Sequence, residues 1–148
     1  MSSDVASASV DVAVNQEAAF RIFTEDVGKW YLIAEHTVVD HTRTKTLRFD
    51  PWVGGRFRAI YDPETGEGAG GALITAWEPP HRLVFVDSRD MEVEVGFTPV
   101  DGGCRVTVVQ RGFDKLDPDE ARRVREHGWF VHLPVWFGEY VSGQPSAV

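Results

Sequence analysis

Two periods divide the chain. Val10, Val12 and Val14 alternate with Asp11 and Ala13, the period-two pattern of a half-buried strand. Asn15 follows as an N-cap, and Ala18, Ala19, Ile22 and Phe23 share one face of a short amphipathic helix. Val27 to Tyr31 forms a second short helical turn carrying Trp30. From Val38 the period returns to two. It predicts strands over 44–49, 56–62, 72–77, 82–87, 91–97 and 104–112, separated by turn and breaker residues. Asp50-Pro51, Gly54-Gly55, the loop from Pro63 to Gly71, Pro79-Pro80, Ser88 to Asp90 and Asp101-Gly102-Gly103 supply the breaks. Strands that follow one another through short turns pair antiparallel.

The period then lengthens to that of a helix. Asp117 is the cap, Pro118 the first helical residue, and Glu120 stands three residues after the cap. The helix is predicted to run to about Tyr140, with Gly143 past its end. Its first half is charged. Its second half carries one stripe of Trp129, Leu133, Trp136 and Tyr140 and an adjacent one of Phe130, Pro134, Phe137 and Val141. Such a helix needs cover on more than one side, from a sheet, the two N-terminal helices, a bound ligand or a second copy. Pro134 removes a backbone hydrogen bond, which predicts a kink there. The fold class is α+β: a curved antiparallel sheet of about six to seven strands around a long C-terminal helix, with two short helices after the first strand. One domain is expected over 10–143, with flexible tails over 1–9 and 144–148.

Composition narrows the partners. A chain of 148 residues with 43% hydrophobic and 26% charged positions fits one domain with a real core. The net charge of −8 argues against nucleic acid and against docking on an anionic membrane. No stretch has the apolar length of a membrane span, and Met1 to Ser9 lacks the pattern of a secretory signal. Cys104 is the single cysteine, so an internal disulfide is impossible; a cytoplasmic location is expected. Cys104 lies in a strand-like run, which reads as a small packing residue rather than a nucleophile.

The chemistry on offer is sparse. His36 and His41 are five apart, as are His127 and His132; on one continuous helix that is about 500°, opposing sides rather than a ligand face. No metal and no cofactor is expected. The glycine-rich run Gly66 to Gly71 is acidic and lacks a phosphate loop's lysine, so it reads as a loop at a cavity mouth. Strand parity gives the best lead. If Leu83 and Phe85 face inward, so does Asp87; Gln110 follows Val106 and Val108, and Tyr61 follows Phe57. Asp87, Gln110 and Tyr61 are then expected to cluster in an apolar pocket and orient a ligand. The competing reading of Asp87 is a turn residue at a strand end beside Ser88 and Arg89. Glu35 beside His36 suits proton transfer, against the plainer reading of solvated loop residues. The candidate lining is Trp30, Phe57, Tyr61, Trp77, Phe85, Asp87, Val95, Phe97, Val108, Gln110, Trp129 and Leu133, several of which must fill core instead.

Particular words in this order carry a resemblance: Phe20-Arg21-Ile22-Phe23-Thr24 with Trp30, Gly54-Gly55-Arg56-Phe57, Trp77 through Phe85, Gly103 through Val108, Gly112-Phe113 and His127-Gly128-Trp129. Spread over Val10 to Gly143, they resemble the activator of heat-shock-protein-90 ATPase homologue-like family, within the START-like (SRPBCC) helix-grip superfamily. The resemblance implies a scaffold similar to proteins that bind lipids, hormones or polyketides under the helix. The namesake co-chaperones carry a further N-terminal domain, which weighs against that role here. Three functions follow as expectations. The first is a binder of a small apolar or aromatic ligand. The second is a cyclase- or dehydratase-like enzyme using Asp87, Glu35 or His36. The third is an interaction module or homodimer formed through the C-terminal helix.

Overall fold

The computed structural model describes residues 4–31 and 42–143. Strand β1 (Val5–Val12) leads into helices α1 (Gln16–Glu25) and α2 (Val27–Trp30). Strands β2 (Thr46–Phe49), β3 (Arg56–Asp62), β4 (Glu67–Glu78), β5 (Arg82–Val86), β6 (Glu92–Val100) and β7 (Gly103–Arg111) follow, then α3 (Pro118–His127) and α4 (Trp129–Gly143). All seven strands form one antiparallel sheet in the order β1-β7-β6-β5-β4-β3-β2. The meander from β2 to β7 is therefore sequential, and β1 returns to pair with the last strand, Val5 opposite Arg111 and Val12 opposite Cys104. The sheet curves, and α4 packs across β1 and β7 while α1 meets β2, β6 and β7.

Local chemistry sets the ends of the helices. Asn15 Oδ1 accepts from the Ala18 N–H at 2.8 Å and opens α1. Asp117 Oδ1 accepts from the Glu120 N–H at 2.9 Å, and Pro118 follows it as expected. Glu120 does not reach back to complete the box, because its carboxylate faces Arg89 and Arg123.

Three boundaries differ from the sequence reading. β1 begins at Val5, inside the stretch expected as a tail, because its partner β7 offers a ladder that long. β4 begins at Glu67, so most of the glycine-rich run is strand rather than loop. Register shifts between Phe57 and Ala59, and between Ile60 and Asp62, admit it. Gly71 (φ +65°) lies so close to the Phe57 carbonyl that any Cβ would collide with it, so only glycine fits. The long helix is interrupted at Gly128, whose ψ of 174° is extended, whereas Pro134 lies inside α4 and does not end it. A Cβ at Gly128 would stand 2.6 Å from the Val124 carbonyl oxygen and 2.7 Å from Gln110 Oε1. Only glycine thus fits at this break, between the end of α3 and the Gln110 side chain of β7. The onset of alternation near Val38 lies outside the described residues.

The space between sheet and helix is occupied chiefly by rings. Phe23, fully buried, meets Trp30, Phe97 and Phe137 at centroid separations of 4.7, 5.5 and 5.2 Å. Phe49 stacks on Phe57 at 4.2 Å. These edge-on and offset contacts add to the area each ring buries, which makes this cluster the main source of cohesion.

A candidate ligand cavity beneath the start of the last helix

One end of that space stays open. A cavity of about 340 Å³ is lined by Leu47, Phe57, Ala59, Tyr61, Ala69, Gly71, Ala72, Asp87, Ser88 and Trp129. Its floor is the inner face of β2, β3 and β4, where Leu47 pairs with Ala59 and Ala59 with Ala69. The void exists because these neighbours are small. Three alanines and a glycine sit where the rest of the sheet presents Phe, Val and Leu.

Trp129, the first residue of α4, closes one end. Its indole N–H donates to Asp87 Oδ2 at 3.0 Å, and its ring meets Phe57 at 5.7 Å and Phe85 at 5.1 Å. Asp87 is buried yet fully provided with donors. Oδ1 accepts the N–H groups of Arg89 and Met91 at 2.9 and 3.2 Å, and Oδ2 accepts the Arg89 guanidinium at 2.7 Å. Parity and turn chemistry both hold, because the residue brackets the β5–β6 turn with one oxygen and fixes the cavity wall with the other. No lone pair remains well placed for proton transfer, which leaves Asp87 a positioning residue.

The expected cluster of Asp87, Gln110 and Tyr61 does not form. Asp87 and Tyr61 line the cavity, but Gln110 is fully buried elsewhere. Its Oε1 accepts from the Phe130 N–H at 3.3 Å and its amide NH2 donates to Met91 Sδ at 3.6 Å. It therefore caps the first turn of α4, satisfying an amide that the break at Gly128 leaves open. Of the remaining candidates, Phe57 and Trp129 line the cavity. Trp30, Phe85, Val95, Phe97, Val108 and Leu133 are core. Trp77 belongs to a separate, more open groove of about 700 Å³ between α1 and the Pro79-Pro80 turn, where Phe20 and Phe49 also contribute. Leu47, Ala59, Ala69, Gly71, Ala72 and Ser88 were not among the candidates; their signal is smallness opposite an aromatic stripe. Glu35 and His36 lie outside the described residues.

The histidines correct another expectation. With the helix broken at Gly128, the rings of His127 and His132 stack at 5.7 Å, and His132 stacks on Trp136 at 4.6 Å. They share a side instead of opposing one another. Among the described residues, no group of three or more His, Cys, Asp and Glu is placed to hold a metal ion. Burial raises the Cys104 thiol above its ordinary pKa, in keeping with a packing role. No helix among the described residues is long and apolar enough to cross a membrane.

The family pattern described as Activator of Hsp90 ATPase homolog 1-like protein matches residues 13–134. The chain belongs to this family. Its fold is the START-like helix grip, a scaffold that commonly binds hydrophobic ligands. Solved structures agree on the fold. A protein from Nitrosomonas europaea superposes with a TM-score of 0.67 at 18% identity, over 95% of this chain and 96% of that one. An AHSA1-like protein from Aeromonas hydrophila gives 0.62 at 20% identity, over 94% of each chain. CalC, a self-sacrificing resistance protein from Micromonospora echinospora, gives 0.64 at 23% identity, over 95% and 96%. At such identities the likeness carries backbone rather than side-chain chemistry. No curated protein matches the sequence.

Proposed function

We propose that this member of the family binds a small apolar or aromatic molecule in the cavity beneath the start of α4. The supporting observation is the contrast within one interior. The space under Leu133 and Phe137 is packed with rings, while the alanine-lined end keeps about 340 Å³ open behind a tryptophan held in place by a buried carboxylate. That volume is near the lower end of ligand sites, which run from roughly 300 to 1,000 Å³, and so suits a molecule of one or two rings rather than a lipid with long chains. The interaction-module reading has less support, because Phe137 is fully buried and Trp136 packs on Tyr31 at 5.2 Å.

Filling the void tests this reading. Ala72→Met places a flexible apolar chain in the cavity and is expected to keep the fold. Native mass spectrometry and thermal-shift screening with mono- and bicyclic aromatics should show binding to the wild type and at least a tenfold loss in the variant, about 1.4 kcal/mol. Equal binding by both proteins would place the ligand elsewhere.

A further inference from the structure

The cavity has two unlike ends. Phe57 pairs with Ala72, and Leu73 with Val86, so Phe57, Asp87 and Trp129 stand together at the closed end. Tyr61 lies farther along β3, roughly 13 Å from Phe57 at strand spacing. Between them runs the apolar row of Leu47, Ala59 and Ala69.

Charge separates the ends. At the closed end the carboxylate of Asp87 is compensated by Arg89 at 2.7 Å, and that guanidinium is also shared with Glu120. At the other end the guanidinium of Arg43 lies over the Tyr61 ring, 4.2 Å from its centroid. Arg43 is exposed and makes no ion pair among the described residues. Lys45 is exposed too, and its backbone N–H donates to the carbonyl of Ile60, the residue before Tyr61. Asp62 is occupied locally, accepting from the Glu64 N–H at 2.9 Å. On a chain of net charge −8, two exposed cations that make no ion pair among the described residues, next to an apolar cavity, are unexpected from composition.

We propose, resting on the cavity reading above, that the ligand is an amphipathic anion. A planar or compact apolar body lies along Leu47, Ala59 and Ala69 toward Trp129, and one carboxylate-like head meets Arg43 at the Tyr61 end. A guanidinium stacked on a ring is held in plane with its edge N–H groups directed outward, an arrangement suited to a carboxylate. The aromatic lining grips the body and Arg43 selects the head.

Two probes of one shape test this, 2-naphthoate and its neutral isostere 2-naphthamide, titrated by calorimetry against the whole chain. The wild type should prefer the anion by about fivefold at low salt, a preference that weakens as salt rises. Arg43→Gln should reduce that preference to less than about twofold and leave the affinity for 2-naphthamide unchanged. Because Arg43 is exposed, its loss should not move the melting temperature, and that measurement accompanies the titrations. Equal affinity of the wild type for both probes, or an anion preference that survives in Arg43→Gln, would overturn the anionic-ligand inference while the cavity reading stands. Failure of both probes to bind would overturn the two together.

Discussion

The indole N–H of Trp129 and Oδ2 of Asp87, forty-two positions apart in the chain, meet at 3.0 Å and join the start of α4 to the end of β5. The carboxylate also receives two backbone N–H groups and the Arg89 side chain. Removing it leaves the two backbone N–H groups and the Trp129 indole without this acceptor, while Arg89 keeps Glu120. Asp87→Ala is therefore expected to cost about 3 kcal/mol, read as a lower urea midpoint with an unchanged slope. Trp129→Phe keeps most of the ring contact and gives up one hydrogen bond, so it should cost about 1–2 kcal/mol. A loss from Asp87→Ala no greater than that from Trp129→Phe would mean that the turn contributes nothing.

Phe137 has no exposed surface and touches Phe23 at 5.2 Å and Trp30 at 5.7 Å. Phe137→Ala should destabilise the chain by about 3–5 kcal/mol, since the surrounding rings cannot close the gap. Chemical denaturation checks the magnitude. A change below about 1 kcal/mol would indicate a loosely packed centre.

Gly128 tests the closeness of helix and sheet. Its φ of −72° suits any residue, so a substitution meets a steric limit and not a conformational one. Gly128→Ala is expected to cost about 1–3 kcal/mol through the contacts with the Val124 carbonyl and Gln110 Oε1. Adding Gln110→Ala relieves one of the two contacts. The double variant should thus lose less than the sum of the singles, a coupling readable from a double-mutant cycle.

Tyr140 supplies a pH-dependent link. Its hydroxyl donates to Asp26 Oδ2 at 3.0 Å and ties α4 to the junction of α1 and α2. Burial, then the hydrogen bond to Asp26 and its charge, raises the phenol above its ordinary pKa. With the folded-state value above the unfolded one, the linked stability is complete below the unfolded phenol pKa. It is lost as pH rises through the folded value, because the unfolded chain releases the proton first. Tyr140→Phe should cost about 1 kcal/mol at neutral pH and remove that part of the alkaline decline in melting temperature. An identical alkaline profile in the variant would show that the link does not titrate.

Much of the architecture was legible in the chain because it rests on local repetition. Alternation marked every strand after β1's early start, and Asn15 and Asp117 cap the helices they were expected to cap. Parity correctly turned Asp87 inward. The same rule held for Gln110, which also faces inward; the expected cluster failed because Gln110 sits at another level of the sheet, beneath Gly128 rather than beside Tyr61. The helix break followed the same logic. Proline is the residue that sequence reading blames for a kink, yet here the helix is interrupted at a glycine instead, Gly128.

Period and capping residues by themselves determined the order of elements, the caps and the inward faces of the strands, since each is a property of neighbours in sequence, and the quoted sequence words carried the family resemblance. Which inward residues fill space and which enclose it depended on the curvature of the sheet and on where α4 lands. Phe85 and Phe57 look alike along the chain, and only Phe57 faces the void, because Ala59, Ala69 and Ala72 happen to assemble beside it. The position of Arg43 over Tyr61 is of the same kind, a contact between residues far apart in sequence that no local pattern encodes.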